Sequence, residues 1–84
     1  MVTIVYFARL REALGKSSEQ LALPAGVRDL AGLRAMLIAR GGAWAVELAG
    51  SKPVRAAVNQ DMAIGDAPLS DGDEVAFFPP VTGG

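Results

Sequence analysis

The chain has 84 residues, which is enough for one domain and too few for two. Eight basic residues nearly balance nine acidic ones, so no charge pattern predicts binding to nucleic acid or to an anionic membrane. The absence of cysteine and histidine excludes thiol nucleophiles, His-based triads and zinc-finger sites, and we expect no bound metal. No apolar stretch is long enough to span a bilayer and no secretion signal is recognisable, so we expect a cytoplasmic protein.

The first part of the chain predicts two paired strands. Residues 2–8 are apolar and rich in β-branched side chains, which predicts the first strand. Residues 9–14 are helix formers closed by Gly15, which predicts one short helical turn or a loop. Residues 19–23 alternate polar and apolar side chains up to a Pro-Ala-Gly break, and they predict a second strand hairpinned to the first.

The main helix is predicted at residues 28–40. Its apolar stripe recurs at helical spacing, through Leu30, Leu33 and Leu37. Asp29 falls in the first turn, where a carboxylate suits the positive end of the helix dipole, and Gly41-Gly42 is expected to end the helix. Residues 43–48 predict another short helical turn that carries Trp44, the only tryptophan.

The last part of the chain predicts the remaining strands. Residues 54–58 predict a third strand, and a turn then leads to a short extended segment at residues 62–64. Residues 70–73, Ser-Asp-Gly-Asp, predict a tight turn in which the aspartates have a structural role. Residues 74–78 predict the last strand, which ends at two prolines because neither can donate to a sheet ladder.

This order of elements fits an α+β domain with one mixed sheet of about five strands and one main helix packed across one face. In this arrangement, the β-grasp, the first and last strands lie side by side and parallel at the centre of the sheet. Both are the most apolar strands of the chain, as central strands should be. We expect residues 1–80 to form this domain and residues 81–84 to form a flexible C-terminal tail that ends in Gly-Gly.

The sheet face that the main helix leaves uncovered is predicted to be apolar. Alternation along the strands places the following side chains on this face or near it: Val5, Phe7, Met62, Ala76 and Phe78. One interpretation is that residues 9–15 and 43–52 fold over the face. The preferred interpretation is a docking patch for a partner, since contiguous apolar surface on a small protein usually marks an interface.

The chain ends in two glycines that follow a proline pair. Six extended residues from Pro79 reach roughly 20 Å, which is far enough to enter the active site of another protein. Glycines let a backbone thread a narrow channel and leave the carboxylate of Gly84 unobstructed. A carboxylate needs no side chain to serve as a reactive group, which suits a sequence without cysteine or histidine.

The C-terminal run is also the most recognisable part of the sequence. It reads Asp-Gly-Asp-Glu-Val-Ala-Phe-Phe-Pro-Pro-Val-Thr-Gly-Gly at residues 71–84. Residues 56–60, Ala-Ala-Val-Asn-Gln, and residues 5–8, Val-Tyr-Phe-Ala, followed by Arg11-Glu12, are further matches, whereas residues 38–53 are less characteristic. Together these segments resemble the family of molybdopterin synthase small subunits, the MoaD-type sulfur carriers.

The resemblance implies a ubiquitin-like β-grasp and a sulfur carrier in molybdenum cofactor biosynthesis that is not an enzyme on its own. A ubiquitin-activating-type enzyme would use ATP to adenylate the Gly84 carboxylate, and a sulfur donor would convert the adenylate to a thiocarboxylate. The carrier would then give sulfur to cyclic pyranopterin monophosphate on the large synthase subunit, in a heterotetramer of two small and two large subunits. No cofactor is expected on this chain itself.

The resemblance also implies which residues act. Gly84 is the group that is adenylated and sulfurated, with Gly83 next to it. Partner contacts are implied for the following residues: Phe7, Arg11, Met62, Phe78, Pro79, Pro80, Val81 and Thr82. Arg11 has a second interpretation as a solvated loop charge. Lys16 and Lys52 have no evident partner and are expected to be exposed.

Three alternatives stay open at the level of sequence. The first is a sulfur carrier for another acceptor, either the thiazole of thiamine or a tungsten-pterin, although thiazole carriers are typically shorter and lack the Phe-Phe-Pro-Pro run. The second is a ubiquitin-like modifier attached to target lysines through Gly84. The third is an interaction module whose tail is idle, which alone predicts that deletion of Gly83-Gly84 leaves all activity intact.

Overall fold

A computed structural model describes residues 1–49 and 53–80 of the chain. These residues form one sheet whose strands are β1 (Val2–Tyr6), β2 (Ser18–Leu21), β3 (Arg55–Val58), β4 (Asp61–Met62) and β5 (Glu74–Phe78). Their spatial order is β2-β1-β5-β3-β4. Strands β1 and β5 pair in parallel and the other neighbours pair antiparallel. The predicted mixed sheet, with its first and last strands adjacent and parallel at the centre, is therefore confirmed.

Helix α2 (Leu30–Ile38) is the longest of the described helices, and α1 (Arg9–Leu14) and α3 (Gly42–Leu48) are shorter. The prediction of a helix over residues 28–40 was too long at both ends. Asp29 is the N-cap rather than a first-turn residue, and its Oδ1 accepts a hydrogen bond from the Gly32 N–H at 2.8 Å. In the described part of the chain, no helix is long and apolar enough to cross a membrane.

The two glycines after α2 do not act together as a helix stop. Ala39 is already the C-cap of α2, and Gly41 adopts a left-handed φ of 77°. Gly42 is the first residue of α3. The predicted helix end at this pair was therefore too late, because α2 already ends at Ala39 and the chain turns at Gly41. The short helix predicted at residues 43–48 is confirmed as α3, which begins one residue earlier, at Gly42.

The core lies between the helices and one face of the sheet. The sheet contributes fully buried side chains from β1 and β5, namely Val2, Ile4, Tyr6, Val75 and Phe77. The helices contribute six leucines: the predicted stripe of α2 is Leu30, Leu33 and Leu37, α1 adds Leu10 and Leu14, and α3 adds Leu48. Each fully buried leucine stabilises the fold by about 1.5–3 kcal/mol relative to an exposed one.

A hydrogen-bonded network closes the core at Tyr6. The Tyr6 hydroxyl donates to Glu19 Oε2 at 2.8 Å and accepts from Trp44 Nε1 at 3.2 Å. Arg40 donates to both oxygens of Glu19, at 2.8 and 2.9 Å. Burial, together with the bond to Glu19, raises the pKa of Tyr6 to about 12. The stabilisation linked to the neutral hydroxyl is therefore complete below about pH 10 and is lost as the pH rises through the raised pKa.

Two cations lie over the ring of Trp44. The guanidinium carbon of Arg40 is 5.0 Å from the ring centroid, and Lys16 Nζ is 5.8 Å from it. Lys16 is exposed, as predicted, but the expectation that it lacks a partner was wrong. The contact joins the loop after α1 to α3, which are distant in sequence, so no local pattern indicated it. Lys52 lies outside the described residues.

The turns around β5 are held by side-chain hydrogen bonds. Asn59 Nδ2 donates to Asp73 Oδ1 at 2.9 Å, and Asn59 Oδ1 accepts from the Glu74 N–H at 3.0 Å. Asp73 Oδ2 accepts from the Ser70 N–H at 2.8 Å, and the Asn59 and Ser70 bonds lower the pKa of Asp73. Asp71 pairs with the N-terminal ammonium group. The structural role predicted for both aspartates is confirmed.

The hairpin between β3 and β4 gives the first prediction. Asn59 and Gln60 form its two-residue loop with φ values of 49° and 71°, which suits a turn that prefers glycine at its second central position. We expect Gln60→Gly to raise the free energy of unfolding by about 0.5–1 kcal/mol in chemical denaturation, because the left-handed strain is removed. The matched change Gln20→Gly, in the extended β2, should instead lower it by about 0.5–1 kcal/mol. Equal effects at both sites would contradict this account.

The ion pair of Glu19 gives the second prediction. The hydrogen bonds from Arg40 lower the pKa of Glu19, so its stabilisation is present above the unfolded-state pKa and is lost as the pH falls through the lowered folded-state pKa. We expect Glu19→Gln to cost about 1 kcal/mol at pH 7 and to flatten the loss of stability between about pH 5 and pH 2, measured by denaturation across that range.

Glu12 provides the control for this experiment, because it is an exposed carboxylate on α1. Glu12→Gln should change the free energy of unfolding at pH 7 by less than about 0.5 kcal/mol. If the free energy of unfolding of Glu19→Gln fell with decreasing pH in parallel with that of the wild type, Glu19 would not be the group that causes the acid-dependent loss of stability.

Candidate functional site

The sheet face opposite the helices carries a row of apolar side chains. The strand register places Val5 beside Ala76, Ala76 beside Ala57, and Ala57 beside Met62. Neighbouring strands lie about 4.8 Å apart, so the row crosses four strands without a gap. Met62 is 51% exposed at its outer end. The predicted apolar face therefore exists, and Ala57 at its centre is buried between its neighbours, with only 7% exposure.

Two phenylalanines extend this row toward the end of the sheet where β1 and β5 finish. The Phe7 N–H donates to the Phe77 carbonyl at 3.1 Å, which continues the parallel pairing by one residue and brings Phe7 next to Phe78. Phe7 is 47% exposed and Phe78 is half-buried. We call this surface the open-face patch; it consists of Val5, Phe7, Ala57, Met62, Ala76 and Phe78.

The interpretation that residues 9–15 and 43–52 cover the open face is wrong for the described part of these segments. Leu10 and Leu14 of α1 and Leu48 of α3 belong to the buried core on the helix side of the sheet. Helix α1 packs against α3, where Arg9 Nε donates to the nearly buried Glu47 at 3.1 Å. Both segments therefore lie with α2, and Phe7 and Met62 of the open-face patch stay exposed.

The chain leaves the open face at Ala8, which has φ 53° and ψ −128°. A non-glycine residue with positive φ carries a cost of about 1–3 kcal/mol, which the surrounding structure must offset. This turn ends β1 immediately after Phe7 and starts α1, on which Arg11 is exposed. Arg11 forms no ion pair with any carboxylate in the described ranges, so both interpretations of Arg11 stay open.

Strand β5 carries the chain from the core to the predicted tail. Phe78 is its last residue and lies opposite Arg55 of β3. Pro79 and Pro80 follow and are half-buried. The predicted site residues Val81, Thr82, Gly83 and Gly84 lie outside the described residues, and their roles remain predictions. The structure brings Phe7, Phe78 and the two prolines to the same end of the sheet, whereas Met62 lies two strands away.

The chemistry available on this surface is limited. Within residues 1–49 and 53–80, no group of three or more Asp, Glu, His or Cys side chains could hold a metal ion. The shifted pKa of Asp73 belongs to the turn before β5, at the opposite end of that strand from Phe78. The open-face patch is therefore suited to docking and offers no acid, base or nucleophile.

Two residues were not predicted from the sequence: Ala57, which belongs to the open-face patch, and Arg55, which lies next to it. Ala57 was overlooked because the Ala-Ala pair at residues 56 and 57 shows no contrast between its two faces. Arg55 was overlooked because only the pairing register places it opposite Phe78. The alternation of β5, once aligned with β3, is the signal that would have found both.

Comparison with known proteins gives one family and several full-length relatives. The sequence profile of the ThiS family matches residues 4–84. The molybdopterin synthase sulfur carrier subunit of Escherichia coli K12 is 44% identical over 84 residues, which cover all of both chains.

Solved structures agree with this relationship. A protein described as molybdopterin converting factor subunit 1 from Pyrococcus furiosus is 35% identical, with a TM-score of 0.77 over 95% of this chain and 97% of that chain. A chain from the complex of subunits 1 and 2 of molybdopterin-converting factor from Helicobacter pylori is 25% identical. Its TM-score is 0.68 over 99% of this chain and 97% of that chain.

Proposed function

Because the chain belongs to the ThiS family, we propose that it is the sulfur-carrier subunit of a molybdopterin synthase and that the Gly84 carboxylate bears the sulfur. The observation that carries the proposal is the open-face patch, whose Phe7 and Phe78 lie at the end of the sheet where β5 finishes, six residues before Gly84. The end-to-end match to a relative named for this function supports it. The absence of cysteine and histidine also favours a reactive group on the main chain.

The proposed chemistry follows from the properties of a carboxylate. A terminal carboxyl group has a pKa of about 3.5, so it is ionised at neutral pH and is a poor electrophile. A partner enzyme joins it to AMP, with ATP as co-substrate and pyrophosphate as the leaving group. A sulfur nucleophile then attacks the acyl carbon and displaces AMP. The resulting thiocarboxylate is itself a nucleophile, and it delivers sulfur to cyclic pyranopterin monophosphate.

The partners of this cycle are part of the proposal. A large synthase subunit holds the pterin precursor and docks on the open-face patch, in an assembly of two small and two large subunits. A complex of subunits 1 and 2 among the structural relatives supports such a partner. A ubiquitin-activating-type enzyme forms the adenylate. The chain binds no cofactor, has no catalytic activity of its own and works in the cytoplasm.

The residues that the resemblance implies as partner contacts fall into three groups: the open-face patch, the C-terminal segment and Arg11. Phe7, Phe78 and Met62 provide apolar area on the patch, where interfaces gain most from Phe and Met. Pro79, Pro80, Val81 and Thr82 form the stem that enters the partner's active site. Arg11, an exposed charge four residues after Phe7, would mainly affect the rate of association.

The function is tested first by the intact mass of the chain. After incubation with ATP, a cognate adenylating enzyme and a sulfur source, we expect the mass gain of one oxygen-to-sulfur exchange, localised to Gly84 by fragmentation. Deletion of Gly83-Gly84 should abolish the gain, because the reactive carboxylate is moved toward the domain. The core and the open-face patch of the deletion variant remain intact, so its circular dichroism spectrum serves as the folding control.

The same experiment separates the alternatives. An unchanged mass in the presence of a demonstrably active enzyme would reject the sulfur-carrier function. A mass gain without sulfur transfer to cyclic pyranopterin monophosphate on the large subunit would leave a carrier for another acceptor. Covalent attachment to lysines of other proteins would instead identify a modifier.

The docking role of the open-face patch gives a further prediction. Phe7→Ser and Met62→Ser should each weaken binding to the large subunit about tenfold or more in calorimetry, as expected for a buried apolar anchor. The matched control is Val46→Ser, since Val46 is 59% exposed on α3, which lies on the helix side of the sheet. Its affinity should stay within about twofold of wild type. Equal losses for all three variants would reject this surface as the interface.

A further inference from the structure

A groove of about 300 Å³ lies beside the outer edge of β3. Its walls include Leu30 and Arg34 of α2, Val54 and Arg55 at the start of β3, and Ile64 after β4. The groove exists because β4 has only two residues, which pair with Ala57 and Val58. The start of β3, at Val54 and Arg55, therefore has β5 on one side and an open groove on the other.

The backbone of Val54 faces this groove. In the antiparallel pairing of β3 with β5, the Asn59 N–H donates to the Glu74 carbonyl at 2.8 Å. In an antiparallel pair, every second residue of a strand forms its backbone hydrogen bonds with the same neighbour. Counting back from Asn59 in steps of two, Arg55 therefore also directs its N–H and C=O toward β5. Ala56 directs its groups to the other side, where its carbonyl accepts from the Ala63 N–H at 3.0 Å.

By the same alternation, Val54 presents its N–H and C=O to the groove. It forms no backbone hydrogen bond with another residue in the described ranges. An edge with a free donor and a free acceptor is a template for one more strand.

The groove also has a local excess of positive charge. Arg34 donates to the Leu48 carbonyl through Nε at 3.1 Å and Nη2 at 3.0 Å, and Arg55 is exposed. Neither forms an ion pair with a carboxylate of the described residues. Asp66 is not on the walls of this groove but shares an adjoining pocket with Arg34, and it accepts from the backbone N–H groups of Ala31 and Ala67, both at 2.9 Å. Among the described residues, these two arginines therefore have no ion-pair partner beside the strand edge.

The groove also has an apolar rim. Ile64 is 95% exposed, the largest exposure among the large apolar side chains of the described residues. An isoleucine in this position gains little from the fold, because almost none of its surface is buried against the chain. It is placed to cover an apolar side chain of a molecule bound in the groove.

From these contacts we propose that the groove binds an extended segment of a partner protein. The segment adds as a short strand beside Val54, places separate carboxylates near Arg55 and near Arg34, and packs an apolar side chain on Ile64. The charge of the two arginines selects an acidic segment, and the free edge selects an extended one. The proposal goes beyond sulfur transfer, because the groove uses neither Gly84 nor its carboxylate.

The probe for this site is a capped hexapeptide of alternating valine and glutamate. Titrated into the ¹⁵N-labelled full chain, it should shift the amide resonances of Val54, Arg55 and Ile64 in a saturable manner. It should also slow hydrogen exchange of the Val54 amide, since that N–H becomes hydrogen-bonded. The same peptide with lysine in place of glutamate should bind at least tenfold more weakly. The chain without Gly83-Gly84 should bind the probe as wild type does, which separates this test from that of the sulfur carrier.

Variants sharpen the test. Arg55→Gln should weaken the probe about threefold to fivefold, as for an exposed Arg–carboxylate pair. Ile64→Ser should weaken it about fivefold through lost apolar contact. The matched controls are Arg28→Gln and Val46→Ser, which change an exposed arginine and an exposed valine away from the groove and should bind as wild type. All four variants should unfold at the wild-type denaturant concentration, because each changes an exposed side chain.

Three results would overturn the proposal. The first is the absence of saturable shifts at Val54, Arg55 and Ile64. The second is equal affinity for the acidic and basic peptides, or an unchanged affinity in both groove variants. The third is a concentration-dependent shift at Val54 without any peptide, which would assign the edge to a second copy of this chain.

Discussion

The parallel pairing of β1 with β5 is the constraint on which the rest of the structure depends. It joins residues 3–6 to residues 74–77, so nearly the whole chain is enclosed between the two strands. Their inward side chains, Ile4, Tyr6, Val75 and Phe77, form the floor on which the helices pack. Their outward side chains form the middle of the open-face patch. The same pairing carries the last described residues to the end of the sheet where Phe7 lies.

The domain covers only one face of its sheet. Three short helices and the core leucines occupy the inner face, and 84 residues leave no further element among the described residues to cover the outer one. The exposed apolar area is a liability in an isolated protein, since such patches favour association. In a protein that works by docking on one partner after another, the same area supplies binding energy without specialised side chains. In the proposed function, a reactive group at the end of the main chain then suffices for the chemistry.

The sequence predicted those parts of the fold that depend on local patterns. The alternation in β1 and β5, the leucine stripe of α2 and the approximate positions of β1, β2, β3 and β5 follow from side-chain order alone, whereas the segment predicted at residues 62–64 is β4 at Asp61–Met62. Helix ends were less predictable, because Asp29 as N-cap and Gly42 as the first residue of α3 depend on backbone angles that their neighbours permit. The contact of Lys16 with Trp44 joins distant segments, so no short window contained it.

Only part of the candidate site could be predicted from local sequence patterns. Phe7 and Phe78 were found because they continue alternating strands, whereas Ala57 and Arg55 required the register between β3 and β5. The free edge at Val54 could not be predicted at all. It arises because β4 stops after two residues, and strand length in a short polar segment is decided by packing rather than by propensity.

The position of Trp44 decides what the intrinsic fluorescence of this protein can report. The indole N–H donates a hydrogen bond to the Tyr6 hydroxyl, and the ring lies under Arg40 and Lys16, on the helix side of the sheet. Its emission therefore follows the integrity of the core and of the network around Glu19. The sheet itself separates the indole from the open-face patch. Partners that dock on that patch are spectroscopically silent unless they carry their own chromophore or disturb the core.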